Sequence, residues 1–135
     1  MDISLEERFV QTFCEKRISD RLTFELKNTI KRKNAIGRFC HNTNDLIKQS
    51  YILQTSNKWA VDDIVGKIHN ISKSNKCYII AFDEDIDGKN MSLADGIEAC
   101  FYRGMATIII IDEKTALIKA EQSFGASQKY ILHVN

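Results

Sequence analysis

A chain of 135 residues, 44% hydrophobic and 27% charged, is long enough to bury one core without a metal or disulfide staple, so a single domain spanning residues 1–135 is expected. No run of eighteen apolar residues and no basic-then-apolar leader is present, which argues against a membrane span or secretory signal and for a cytoplasmic location. Net charge is only +1, short of the positive excess of a dedicated nucleic-acid binder. It is unevenly spread: residues 1–58 hold eleven Lys/Arg against seven Asp/Glu, and residues 59–135 hold eight against eleven. A composition rich in Lys, Asn and Ile, without proline, fits an AT-rich bacterial or phage genome.

Along the chain, Ser4 with Glu7 reads as a capping box. Val10, Cys14, Ile18, Leu22, Leu26 and Ile30 then recur every fourth residue, the pattern of an amphipathic helix. Ser19 and Asp20 are good N-cap residues, so a break into two helices is expected near residue 18. A third short helix is expected over 35–48, with Asn42, Thr43 and Asn44 capping or interrupting it. A strand is expected over 51–54, and a helix over 58–72 capped by Ser56.

Residues 77–82 read as a strand, 92–103 as a helix capped by Ser92 with Asp95, and 106–111 as a strongly apolar strand. Strand, helix and strand at that spacing predict a right-handed β-α-β crossover with parallel strands, over about residues 77 to 111. Thr107 to Ile111 lacks polar alternation after its first residue, as in a strand covered on both faces. Residues 117–120 are ambiguous between helix and strand, and 129–134 alternate as a final strand. The expected fold is α/β: a helical portion, 1–50, packed on a small mixed, mostly parallel sheet of three to five strands within an α/β portion, 51–135.

The run Asp83-Glu84-Asp85-Ile86-Asp87-Gly88 carries the most chemistry, because carboxylates two residues apart and closed by glycine open a hard-cation loop. In a parallel sheet, Asp83, Glu84 and Asp85 would share a strand-end rim with Asp112 and Glu113. Such a rim would favour Ca²⁺ or Mg²⁺ at Asp83, Asp85 and Asp87, or an electrostatic partner, with Lys89 and Lys114 placed to offset its charge. The run resembles the opening of an EF-hand loop, although Ala94 stands where that loop has its liganding Glu. It is also similar to the second acidic motif of Toprim domains, which would imply Mg²⁺ on Asp83, Asp85 and Asp87 for phosphodiester chemistry. A third resemblance, to haloacid dehalogenase-like phosphatases, would make Asp83 a nucleophile and Asp85 a general acid. Each resemblance covers about a dozen residues.

Elsewhere, Lys27, Lys31, Arg32, Lys33 and Arg38 form a basic group able to meet nucleic-acid phosphates or to serve a solvated helix end. Cys14, Cys40, Cys77 and Cys100 sit among apolar neighbours and read as buried thiols. Cys40 and His41 are adjacent, and neighbours on a helix diverge too far to act as a nucleophile and base. With no complete catalytic set and no cofactor required, the expected function is a protein-binding, immunity-like or regulatory module using Asp83, Glu84, Asp85, Asp87, Asp112 and Glu113. The alternative is a metal-dependent enzyme acting on phosphate esters or nucleic acid through Asp83, Asp85 and Asp87.

Overall fold

The structure, a computed structural model, describes residues 1–102, 106–120 and 127–135, Cys40 without its side chain. Three helices come first: α1 (Ile3–Phe13), α2 (Lys16–Lys27) and α3 (Arg32–Leu46). The Asp2 carboxylate caps α1 by accepting the Leu5 N–H at 3.0 Å, so the cap is two residues earlier than Ser4. The chain breaks at Cys14 and Glu15 instead of near residue 18. Cys14 there forms an isolated bridge to Ile47, which sets the ends of α1 and α3 side by side. Asn42 has non-helical backbone angles and kinks α3, the interruption that its Asn-Thr-Asn sequence predicts.

A single 3-10 turn leads into β1 (Ile52–Ser56); α4 (Val61–His69), β2 (Lys76–Ala81), β3 (Asn90–Ser92), α5 (Leu93–Phe101), β4 (Thr107–Asp112), β5 (Thr115–Lys119) and β6 (Lys129–His133) follow. Ser56 stands outside α4 and accepts the Lys58 N–H, while Ser92 caps α5 through the Asp95 N–H. Arg103, the expected end of α5, lies outside the described residues.

The six strands form one sheet in the order β1-β6-β5-β4-β2-β3, every neighbouring pair antiparallel. The mostly parallel sheet expected from sequence is therefore incorrect, and so is the β-α-β crossover. The cause is β3, three residues long, which turns the chain back along β2 with Tyr78 opposite Asn90 and Lys76 opposite Ser92. That extra reversal makes α5 run with β2 and delivers β4 against it, with Tyr78 opposite Ile110 and Ala81 opposite Thr107.

Helices cover both faces of the sheet. Tyr78, Ile80, Ile108, Ile110, Ile118 and Leu132 pack with Phe9, Phe13, Leu22, Ile36 and Phe39 of α1–α3. The alternate residues Cys77, Ile79, Ile109, Ile111, Leu117 and Ile131 pack with Ile64 and Ile68 of α4 and Leu93 and Ile97 of α5. Two covered faces explain the unbroken apolar run in β4, a pattern more usual in parallel sheets. At Gly96, α5 lies close against β2, since a Cβ there would overlap the Cys77 sulfur.

Candidate functional site

The acidic run is the connection between β2 and β3. The Asp83 carbonyl accepts the N–H groups of Ile86 and Asp87, and its Oδ1 accepts the Asp85 N–H at 2.9 Å, which winds the segment into one turn. Ile86 plugs this turn into the core at 4% exposure. Gly88 closes it with a φ of +75°, a conformation that L side chains rarely adopt.

Asp87 points inward to a buried ionic cluster. Its carboxylate accepts from Arg32 Nε at 2.7 Å and Nη2 at 2.8 Å, and also from the Ala81 N–H at 3.0 Å. The other side of the same guanidinium holds Glu6, Nη1 and Nη2 donating at 2.6 and 2.7 Å, and Nη1 donates again to the Leu26 carbonyl. These five contacts match the five N–H donors of an arginine. Tyr78 donates its hydroxyl to Glu6 at 2.5 Å and accepts the Asp2 N–H. Burial works against the Arg32 charge, but Asp87 and Glu6 outweigh it and raise the guanidinium above its ordinary pKa. Burial, then Glu6, raises the Tyr78 phenol. The cluster ties α1, α3, β2 and the acidic turn to one another.

This arrangement divides the residues expected to act together. Asp87 is committed to Arg32, while Glu84 reaches out to Lys33 at 2.8 Å and Asp85 is exposed. Among the described residues no group of three His, Cys, Asp or Glu side chains is placed to hold a metal ion. The shared rim is also overturned: because β4 runs against β2, Asp112 and Glu113 lie beside the start of β2 while Asp83 lies beyond its finish, about 20 Å away. Asp112 accepts the Ser72 hydroxyl at 2.5 Å and the Lys114 N–H at 2.8 Å.

The basic group is dispersed as well. Arg32 is internal, Lys27 pairs with Glu7 at 3.2 Å, and Lys31 lies over the Phe24 ring. Arg38 chelates Glu25 and holds its carboxyl below the ordinary range. His41 is exposed on α3, and the Cys40 side chain is outside the described residues. Cys14, Cys77 and Cys100 are buried and in no disulfide. Burial pushes Cys14 up to about 12 and Cys77 up to about 11, which leaves both protonated and unreactive near neutrality.

One feature was not visible in the linear sequence. Between α1 and the two-residue turn joining β4 to β5 lies a cleft of about 380 Å³. Its floor is Leu5, Phe9, Phe13 and Ile110, and its rim is Arg8, Gln11, Thr12, Asp112, Glu113 and Lys114. Arg8 and Glu113 pair across the mouth at 3.1 Å. Periodicity marks Phe9 and Phe13 as an apolar stripe, but only the tertiary fold brings the β4–β5 turn over them. No known protein family, curated protein or solved structure matches this chain.

Proposed function

We propose that the protein is a protein-binding module whose partner seats an apolar side chain in the cleft between α1 and the β4–β5 turn. The supporting observation is how that cleft's polar groups are used. Arg8 and Glu113 satisfy each other, and Asp112 is engaged by Ser72 and the Lys114 N–H. A small polar ligand therefore meets few uncommitted groups to orient it. An apolar floor inside a charged rim matches the anatomy of a protein interface, in which a central anchor is buried and the rim sets orientation. Asp112 and Glu113 keep the binding role expected of them, on the rim, while Asp83, Glu84 and Asp85 belong to a separate surface at the other end of the sheet.

The test is selection of displayed peptides on the wild-type protein, with Thr12→Arg as counter-screen. Thr12 is half-buried on α1, and an arginine there fills the cleft mouth without entering the core. Peptides carrying an aromatic or aliphatic anchor between charged residues should emerge and bind Thr12→Arg at least about tenfold more weakly, the equivalent of roughly 1.4 kcal/mol. Equal binding to both proteins, with unchanged melting temperatures, would sink the proposal.

A further inference from the structure

The far end of the sheet, on the face covered by α4 and α5, carries an unusual row of polar side chains. Thr107 of β4 stands opposite Lys119 of β5, Lys119 opposite Lys129 of β6, and Lys129 opposite Ser56 of β1. Residues directly opposite on antiparallel strands project to the same face with Cβ atoms roughly 5 Å apart. Lys119 is 4% exposed and Lys129 3% exposed, so two lysines that stand opposite each other on neighbouring strands are buried. A buried lysine is rare without a counter-charge, and Lys129 is the one whose surroundings can be followed.

Lys129 has no carboxylate partner among the described residues; its Nζ lies 4.5 Å from the centre of the Phe101 ring, at the end of α5. The ring face and the C-terminal dipole of α5 offset part of that charge. Two residues before Lys129, the Ser127 hydroxyl is buried with no hydrogen-bond partner among the described residues. The β5–β6 ladder continues through Gln128, whose carbonyl accepts the Ala120 N–H, so strand alternation directs Ser127 and Lys129 to the same side. Among the described residues, then, a buried donor has no acceptor and the buried cation beside it has no anion, and one acidic group would supply both.

We infer that Ser127 and Lys129, beside Lys119, form a binding site for a small oxyanion, a phosphate or carboxylate group. A tetrahedral or planar oxyanion accepts from the Lys129 ammonium and the Ser127 hydroxyl at once. Burial already depresses the Lys129 pKa, which an anion would reverse. This site is independent of the α1 cleft.

The experiment is thermal unfolding of the full chain in inorganic phosphate or acetate, against sodium chloride at matched ionic strength. Ser127→Ala and Lys129→Met are compared with Lys73→Met, an exposed lysine, as control. A saturable rise of several degrees in one anion, retained by Lys73→Met and lost in Lys129→Met, is the expected result. A response to phosphate alone assigns a phosphoryl ligand, and a response to acetate alone a carboxylate. Lys129→Met should itself melt above the wild type without added anion, because it removes a buried charge that no described carboxylate offsets. Should that variant not fold, Ser127→Ala carries the test, with apparent affinity expected to fall about tenfold. No anion-specific shift in the wild type, or an equal shift in Lys129→Met and Ser127→Ala, would overturn the site and leave a trapped water as the partner of Ser127.

Discussion

Arg32 and Asp87, fifty-five positions apart, face each other as a two-bond fork at 2.7 and 2.8 Å, and the same guanidinium holds Glu6 on its other side. The side chains of Arg32, Glu6 and Asp87 are 6%, 3% and 9% exposed, so the fork works with little help from water. Arg32→Met strands two buried carboxylates and should cost about 3–5 kcal/mol. Replacing all three at once, Glu6→Gln, Arg32→Met and Asp87→Asn, should recover most of that loss. Urea midpoints of the single and triple variants measure both effects, and a triple variant no better than Arg32→Met would show that the cluster's charges are not what the single variant exposes.

Gly96 allows α5 to lie against the Cys77 sulfur. Gly96→Ala should gain helix propensity yet lose about 1–3 kcal/mol to overpacking. Adding Cys77→Ala makes room for the new methyl, so the double variant should fall short of the sum of its singles. A double-mutant cycle in urea reads that coupling; additivity would mean that the helix shifts freely.

Raised acid pKa values place a limit on the alkaline side. Cys14 and Cys77 ionise at about 12 and about 11 in the folded protein against an ordinary 9.0, and the Tyr78 phenol is raised too, burial being the largest cause in each. Above about pH 9 for the thiols and about pH 10 for the phenol, the unfolded chain has released these protons and the folded chain has not, so stability present below pH 9 is lost as pH rises. Lys129, lowered by burial, works in the opposite direction and offsets part of this loss. Urea midpoints under reducing conditions should fall steadily from about pH 8 to pH 11. A flat profile would contradict the burial of the two thiols.

On the acid side the relevant pair is Glu25 and Arg38. The hydrogen-bonded guanidinium holds the Glu25 carboxyl below its ordinary 4.5, so the stability it contributes is present above that pH and lost as pH falls through the folded value. Arg38 is partly exposed and Arg21 adds only a long contact at 3.7 Å, so the effect is modest, about 1 kcal/mol. Glu25→Gln should be less stable than wild type at pH 7 and converge with it below about pH 4.

Much of the local structure was legible in the amino-acid pattern because it rests on short-range physics. The fourfold spacing from Val10 marks the helices, Ser92 caps α5 as its position suggests, and the apolar run of β4 signals cover on both faces. The topology was not legible, since strand direction turned on Asn90, Met91 and Ser92, three residues with no strand signature whose pairing with β2 is tertiary. The inward role of Asp87 was hidden for a related reason. Asp87 carries the same letter as Asp83 and Asp85, but its neighbour in space is Arg32, which nothing in the spacing announces. Lys129 was visible only as part of an alternating strand; its burial becomes informative once Lys119 stands opposite.

The order of the elements also bears on how the chain meets water during synthesis. All three helices of the first layer, and Arg32 with them, leave the ribosome before any strand exists. Asp87 follows fifty-five residues later, on the order of several seconds at common elongation rates. Until then the guanidinium has only one of its two carboxylates, and sealing it inside the helical layer would be unfavourable. The residue that locks the finished core is thus one that disfavours closing the first layer before the sheet on which it rests has been made.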